Sequence, residues 1–389
     1  MTLLRPLILA AAVALCLPAF AADPCKEDCR RLVAEGHALD SQGKHTEALQ
    51  KIKEAETLAP NASLPQSAAA SVFYRLSTVA KPDKVEEMRR LARGLAGRAI
   101  ALDPANPIAH EVLRLLDDGP SPLRAPSPQA AALLASAEKH FAQGNYKEAL
   151  AGYEAVQWAD PQYSFAWVGA GNAYFVQKDL VKAEAQFRRA TEIEPGNAQA
   201  WRFLGSALRE QGKFEASEAA LLSAIAADPS QRPSWGMLAQ VRARGQQALK
   251  PLALRRGARV AQGADGKFTI EVEPQGGQTT PDHAIRLARA MAEANIRNGD
   301  KTGAKSAYEI ELASWRMALK IAGEAKAKTG EGITDPGLLT MQALEGDGQL
   351  EAAILLLQFR QAYRPELERW LAANPGGVKA FIDRYGLQP

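Results

Sequence analysis

The chain has 389 residues, 47% hydrophobic and 23% charged, with a formal net charge of +3. That balance can bury the cores of two or three ordinary domains. With no long run of one sign, it gives no reason to expect nucleic acid or a lipid surface as partner. Aromatics are only 6%, and abundant alanine favours close helix packing over sheets.

Arg5 is the only charge before Asp23, Leu7 to Leu17 form an apolar stretch ended by Pro18, and Ala19-Phe20-Ala21 supplies a small-x-small cleavage site. A cleaved export signal is expected over residues 1–22. The apolar run is too short to span a bilayer, so no transmembrane span is expected after cleavage. The mature chain is expected in the periplasm. Cys16 leaves with the signal. Cys25 and Cys29 remain and are expected to pair in an oxidising compartment. The loop they close is too small for a large gain in chain entropy. Two thiols without nearby histidines do not make a zinc site.

Residues 23–118 read as an N-terminal helical domain. Gln42-Gly43-Lys44-His45 is a turn between two helices, with Gly36 seven residues before Gly43 and Pro60 closing the pair. Residues 63–104 read as a second, irregular pair and 107–117 as a cap. Residues 119–128 hold four prolines from Pro120 to Pro128, an extended linker.

Residues 129–250 repeat. Pro161, Pro195 and Pro229 stand 34 apart, as do Trp167, Trp201 and Trp235, and Gly171, Gly205 and Ala239. Ala149, Ala183 and Ser217 keep the interval, as do Tyr153, Phe187 and Leu221. Three units, 130–163, 164–197 and 198–231, are followed by a capping half unit to about Lys250. Small residues such as Gly171 and Ala183 mark where two helices cross closely, and Pro195 ends the second helix.

This pattern resembles the tetratricopeptide repeat, and residues 164–197 follow its consensus closely. The resemblance implies an all-α fold, a solenoid of helical hairpins, with a ligand along the concave face made by the first helix of each unit. By position that face carries Phe165, Val168, Asn172 and Phe175, then Arg202, Ser206 and Arg209, then Gln240 and Arg244, with Glu138 and Phe141 in the first unit. The apolar groups offer a floor, Asn172 and Gln240 can bond a peptide backbone, and the arginines can hold carboxylates. The guest expected is an envelope protein or peptide with an acidic stretch. Family members that clamp a C-terminal carboxylate use a Lys/Asn/Arg set; Leu134, Glu138 and Gly169 stand at those positions here. The three repeat tryptophans are expected in the core.

In residues 251–280, Phe268, Ile270 and Val272 alternate with polar residues after the turn Gly263-Ala264-Asp265-Gly266, which predicts one small β-hairpin. Residues 281–389 are expected to form a helical C-terminal domain, with turns at Asn298-Gly299-Asp300 and Gly346-Asp347-Gly348 and a short helix from Val378 to Tyr385. From Arg242 to Arg259 there are six basic residues and no acid, read either as a dock for an anionic partner or as a solvated edge. Asn298, Asp300, Thr302, Gly303, Ser306 and Glu309 imitate a calcium loop, but Lys305 sits among them. No acid–base, nucleophile or metal set appears, so no enzymatic activity and no cofactor are expected. The rival reading is an envelope enzyme or glycan-binding protein with its site in the C-terminal domain, where Trp315 and Trp370 are the freest candidates.

Overall fold

The computed structural model describes residues 24–41, 43–103, 106–118, 124–262, 268–272, 280–300 and 305–389. The expected signal, most of the proline linker, and Thr302 and Gly303 lie outside the described residues. The chain divides into two compact units, Met1–Leu116 and Asp117–Pro389.

The first unit holds α1 (Glu27–Ser41), α2 (His45–Leu58), α3 (Ser63–Val79), α4 (Pro82–Leu102) and the start of α5 (Pro107–Asp118). Cys25 and Cys29 are disulfide-bonded and buried beside Leu32, Val33 and Ile52. Alanine faces let the helices approach: Ala92, Ala96 and Ala99 of α4 are fully buried against α3. At Gly36 a methyl group would come within 2.7 Å of Ile52, so only glycine fits the crossing of α1 and α2.

The second unit opens with α6 (Pro128–Ala142), α7 (Tyr146–Ala159), α8 (Ser164–Val176), α9 (Leu180–Ile193), α10 (Ala198–Glu210), α11 (Phe214–Ala227) and α12 (Arg232–Ala243). These are three helical hairpins and a capping helix. The 34-residue period is visible in the backbone: Gly144, Lys178, Gly212 and Gln246 occupy the left-handed region with φ of 76°, 66°, 77° and 60°. Close crossing explains the small residues. A Cβ on Gly171 would lie 2.5 Å from the Phe187 ring, and one on Gly205 would lie 2.8 Å from Leu221.

The repeat tryptophans differ from expectation. The Nε1–H groups of Trp167, Trp201 and Trp235 donate to the carbonyls of Pro161, Pro195 and Pro229 at 3.3, 2.9 and 2.8 Å. Only Trp235 is fully buried, while Trp167 and Trp201 are half-buried. The indole seals the joint between units with one edge toward water, and the C-terminal helices cover only the last of the three.

A carboxylate ends each repeat. Asp160 accepts from Arg124 at 2.7 Å and from the Ser127 N–H at 2.9 Å. Glu194 accepts from the Ser164 hydroxyl and the Arg124 N–H. Residues 124–127 are thus tied across the repeat ends. Asp228 accepts from Ser230 and from Gln361. Arg364 lies near Asp228 and donates to the carbonyl of Ala227 at 2.8 Å, a cation at the negative end of α11.

Beyond the cap come β1 (Lys250–Pro251), β2 (Ala258–Gln262), β3 (Phe268–Val272), α13 (Pro281–Gly299), α14 (Ala307–Thr329), α15 (Pro336–Gly346), α16 (Leu350–Leu357), α17 (Arg364–Ala373), α18 (Gly377–Tyr385) and β4 (Leu387–Gln388). The hairpin is antiparallel, with Val260 opposite Ile270. It leans on α13, where Arg289 donates to the Ala258 carbonyl and Arg297 lies over Phe268. A parallel pair, β1 with β4, was not anticipated. The main core joins Leu221, Ile225, Trp235 and Leu238 of the repeats to Trp315, Leu338, Leu356 and Ile382.

The basic stretch is largely structural rather than a free dock. Arg242 is buried against Glu218 and Asp383, Arg256 pairs with Glu311, and Arg259 pairs with Glu271. The calcium-like residues also have structural roles. Asp300 accepts the Lys305 N–H, and Ser306 with Glu309 forms the capping box of α14. Trp315 is fully buried and donates to Glu311, so it is not a surface candidate.

Candidate functional site

The first helices α6, α8, α10 and α12 carry the residues that the repeat register assigns to a ligand face. Their starts are set by capping: the Ser127 and Asn197 side chains accept from the N–H groups of Ala130 and Ala200. At the α6 end, the Phe141 ring lies 5.6 Å from Tyr146 and 6.5 Å from Tyr153 in edge-on contact. The Tyr153 hydroxyl donates to Glu138 at 2.8 Å. Burial and the Glu138 carboxylate push that phenol far above its ordinary value, so it remains a donor.

On α8, Phe165, Asn172 and Phe175 are half-buried. Val168 is only 3% exposed and packs with Leu204 and Leu208 in the core, so it cannot serve as floor. The cause is the packing of α10 against α8. The apolar floor therefore consists of Phe141, Phe165 and Phe175.

The α10–α12 end is cationic. Arg202 and Ser206 are half-buried, and the Arg202 guanidinium lies 4.5 Å from the centre of the Phe203 ring. Arg209 donates to Gln240 at 2.8 Å and to Glu210 at 3.1 Å. Gln240 and Arg244 are exposed, and Arg244 lies 4.1 Å over Phe214. Sequence reasoning missed the two aromatic supports. Phe214 was detectable, because it occupies the turn position of Tyr146 in the first unit. A guanidinium laid flat on a ring loses part of its rotational freedom and keeps its N–H edge available.

The neighbouring units are stapled beside this face. Glu184 accepts from Lys213 at 2.8 Å and from Gln211 at 2.9 Å, and Arg188 reaches it at 2.8 Å. Burial opposes its charge, yet these donors hold its carboxyl at about 2. Among the described residues, no three His, Cys, Asp or Glu side chains are placed to hold a metal. None of the helices described is long and apolar enough to cross a membrane.

Two tetratricopeptide-repeat family models match the chain, one over residues 134–198 and one over residues 176–241. The chain belongs to the tetratricopeptide-repeat family. Comparison with curated proteins gives no match. Among solved structures, the first tetratricopeptide repeat domain of Spaghetti (RPAP3), bound to an HSP90 peptide, is similar at 23% identity. That alignment covers 31% of this chain and 95% of that one, with a TM-score of 0.30. The Sgt2 tetratricopeptide repeat domain from Aspergillus fumigatus shows 20% identity over 32% and 83% of the two chains, with a TM-score of 0.30. YrrB, a tetratricopeptide-repeat protein with an unusual peptide-binding site, shows 17% identity over 54% and 91%, with a TM-score of 0.26.

Proposed function

We propose that the protein is a non-enzymatic scaffold of the bacterial periplasm that holds a partner polypeptide along the first-helix face of its repeats. The observation that carries this reading is that Asn172, Arg202 and Arg209 lie together on repeat positions that keep solvent access. The guest has apolar side chains over Phe141, Phe165 and Phe175 and an acidic stretch over Arg202, Arg209 and Arg244. Carboxylates suit those donors because guanidinium forks bind them bidentately. Export rests on the features of residues 1–22, and N-terminal sequencing of the protein recovered from the envelope tests it.

The groove is tested by placing a photo-cross-linking amino acid at Arg209 and, separately, at Trp158. Trp158 is 87% exposed on α7, outside the first-helix face. The expected result is one polypeptide captured from Arg209 and not from Trp158. Equal capture at both positions, or none at Arg209, overturns the reading.

A further inference from the structure

The repeat array contains an unfinished fourth unit. Its first helix is α12, and its turn is present: Gln246, 34 residues after Gly212, takes the same left-handed conformation, with φ of 60°. A second helix should follow, yet the chain runs instead into Leu249 and β1. Without that helix, the α11 and α12 surfaces that carry Leu222 and Val241 would meet water. They are covered by α18, which comes from more than a hundred residues further along and packs against α11.

The attachment of α18 is compact and polar at its margins. Val378, Phe381 and Ile382 point into the core. Asp383 accepts from the buried Arg242 at 2.6 Å, and Arg242 also reaches Glu218 at 2.6 Å. Two backbone bonds tie the following segment to β1, from Lys250 N–H to the Gly386 carbonyl and from Leu252 N–H to the Gln388 carbonyl. Packing is incomplete. A cavity of about 560 Å³ remains between α11 and α18, lined by Glu215, Leu222, Ile382 and Asp383 among others. The connection from α17 is a tight reversal, Asn374-Pro375-Gly376-Gly377, turning at Gly376 with φ of 75°.

We propose that the seat on α11 and α12 is a helix-binding site whose occupant is exchangeable, and that residues 377–389 of a second copy of this chain fill it reciprocally. Seat and occupant are both present in every copy, so exchange repeats the same contacts and closes on a two-fold dimer. The short hinge favours exchange, because a tight reversal straightens when the helix leaves its own seat. The partner is selected by apolar residues at Val378, Phe381 and Ile382 and by a carboxylate at Asp383 for Arg242. This seat lies apart from the proposed peptide face and does not depend on it.

The test uses full chains bearing two different tags, mixed, warmed to just below the melting temperature, cooled, and captured through one tag. The second tag is expected in the captured fraction. Inserting Gly-Ser-Gly between Asn374 and Pro375 should leave the melting temperature unchanged. It should cut co-capture about tenfold or more, because a flexible tether presents α18 to its own seat at an effective concentration on the order of millimolar. Absence of co-capture in the unmodified chain overturns the proposal. So does co-capture that the insertion leaves unchanged, or that persists in a chain lacking residues 377–389, since either result places the contact on another surface.

Discussion

Replacing Glu311 by alanine tests the buried charge network that joins the segment after the cap to α13 and α14. The Glu311 side chain is 3% exposed and takes three donors: Arg256 at 2.9 Å, the Trp315 indole at 2.8 Å and Arg289 at 3.6 Å. Arg289, 1% exposed, keeps Glu293 at 3.0 Å after the change. Arg256 retains Gln358 and some water, its side chain being 35% exposed. The Trp315 N–H loses its acceptor, which alone costs about 1–3 kcal/mol. Removing one partner of a buried ion pair costs about 3–5 kcal/mol. Partial exposure of Arg256 places the total near the lower end, about 3–4 kcal/mol. For a unit of this size that corresponds to a fall in Tm of roughly 6–16 °C, read by calorimetry. Glu311→Gln, which preserves the shape and an acceptor for Trp315, should lose about half as much. The pH dependence has a definite sign. Burial raises the Glu311 carboxyl, but Arg256 and Arg289 outweigh it and hold it below 4.5. Its contribution is therefore complete above pH 4.5 and lost as pH falls through the depressed value. A Glu311→Ala variant melting within about 2 °C of the parent refutes this reasoning.

Gly171→Val forces two methyl groups toward the Phe187 ring, where a Cβ already lies 2.5 Å away; unfolding in urea should show a loss of about 1–3 kcal/mol. His37 is held below its ordinary value of 6.5 by burial and by Arg75. A neutral histidine favoured by folding stabilises the first unit above pH 6.5 and ceases to do so as pH falls. Asp40 accepts from His45 and pairs with Arg75 beside it, so His37→Gln should flatten the acid side of the Tm profile without removing that pairing. Replacing Cys25 and Cys29 together by serine opens a loop of sequence separation 4 and should lower the stability of the first unit by about 2 kcal/mol, measured by urea unfolding. Arg124→Ala removes the guanidinium from Asp160, whose carboxyl it holds low; limited proteolysis should then cut near residues 124–127 faster than in the parent.

What could be read directly from the sequence was what repeats. Columns such as Gly171 with Gly205 and Phe187 with Leu221 recur because each unit solves the same packing problem, and the hairpins follow from them. The β-hairpin was equally local, since alternation at Phe268, Ile270 and Val272 needs no distant partner. Features that depend on contacts between distant residues were hidden. Arg242 looked like a surface base because no acid lies near it in sequence; its carboxylates are Glu218, 24 residues before it, and Asp383, 141 residues after it. Trp315 looked free because nothing in α14 reveals that Glu311 would take its N–H. Val168 misled for a related reason: its register position faces the groove in a lone hairpin, and only the stacking of α10 on α8 buries it. The one long-range fact within reach was the absence of a second helix after Gln246. An array that begins a fourth unit and leaves it incomplete must cover the exposed face with something. The only apolar i, i+3, i+4 pattern ending in an acid within the last helix is Val378, Phe381, Ile382 and Asp383, the segment that covers it.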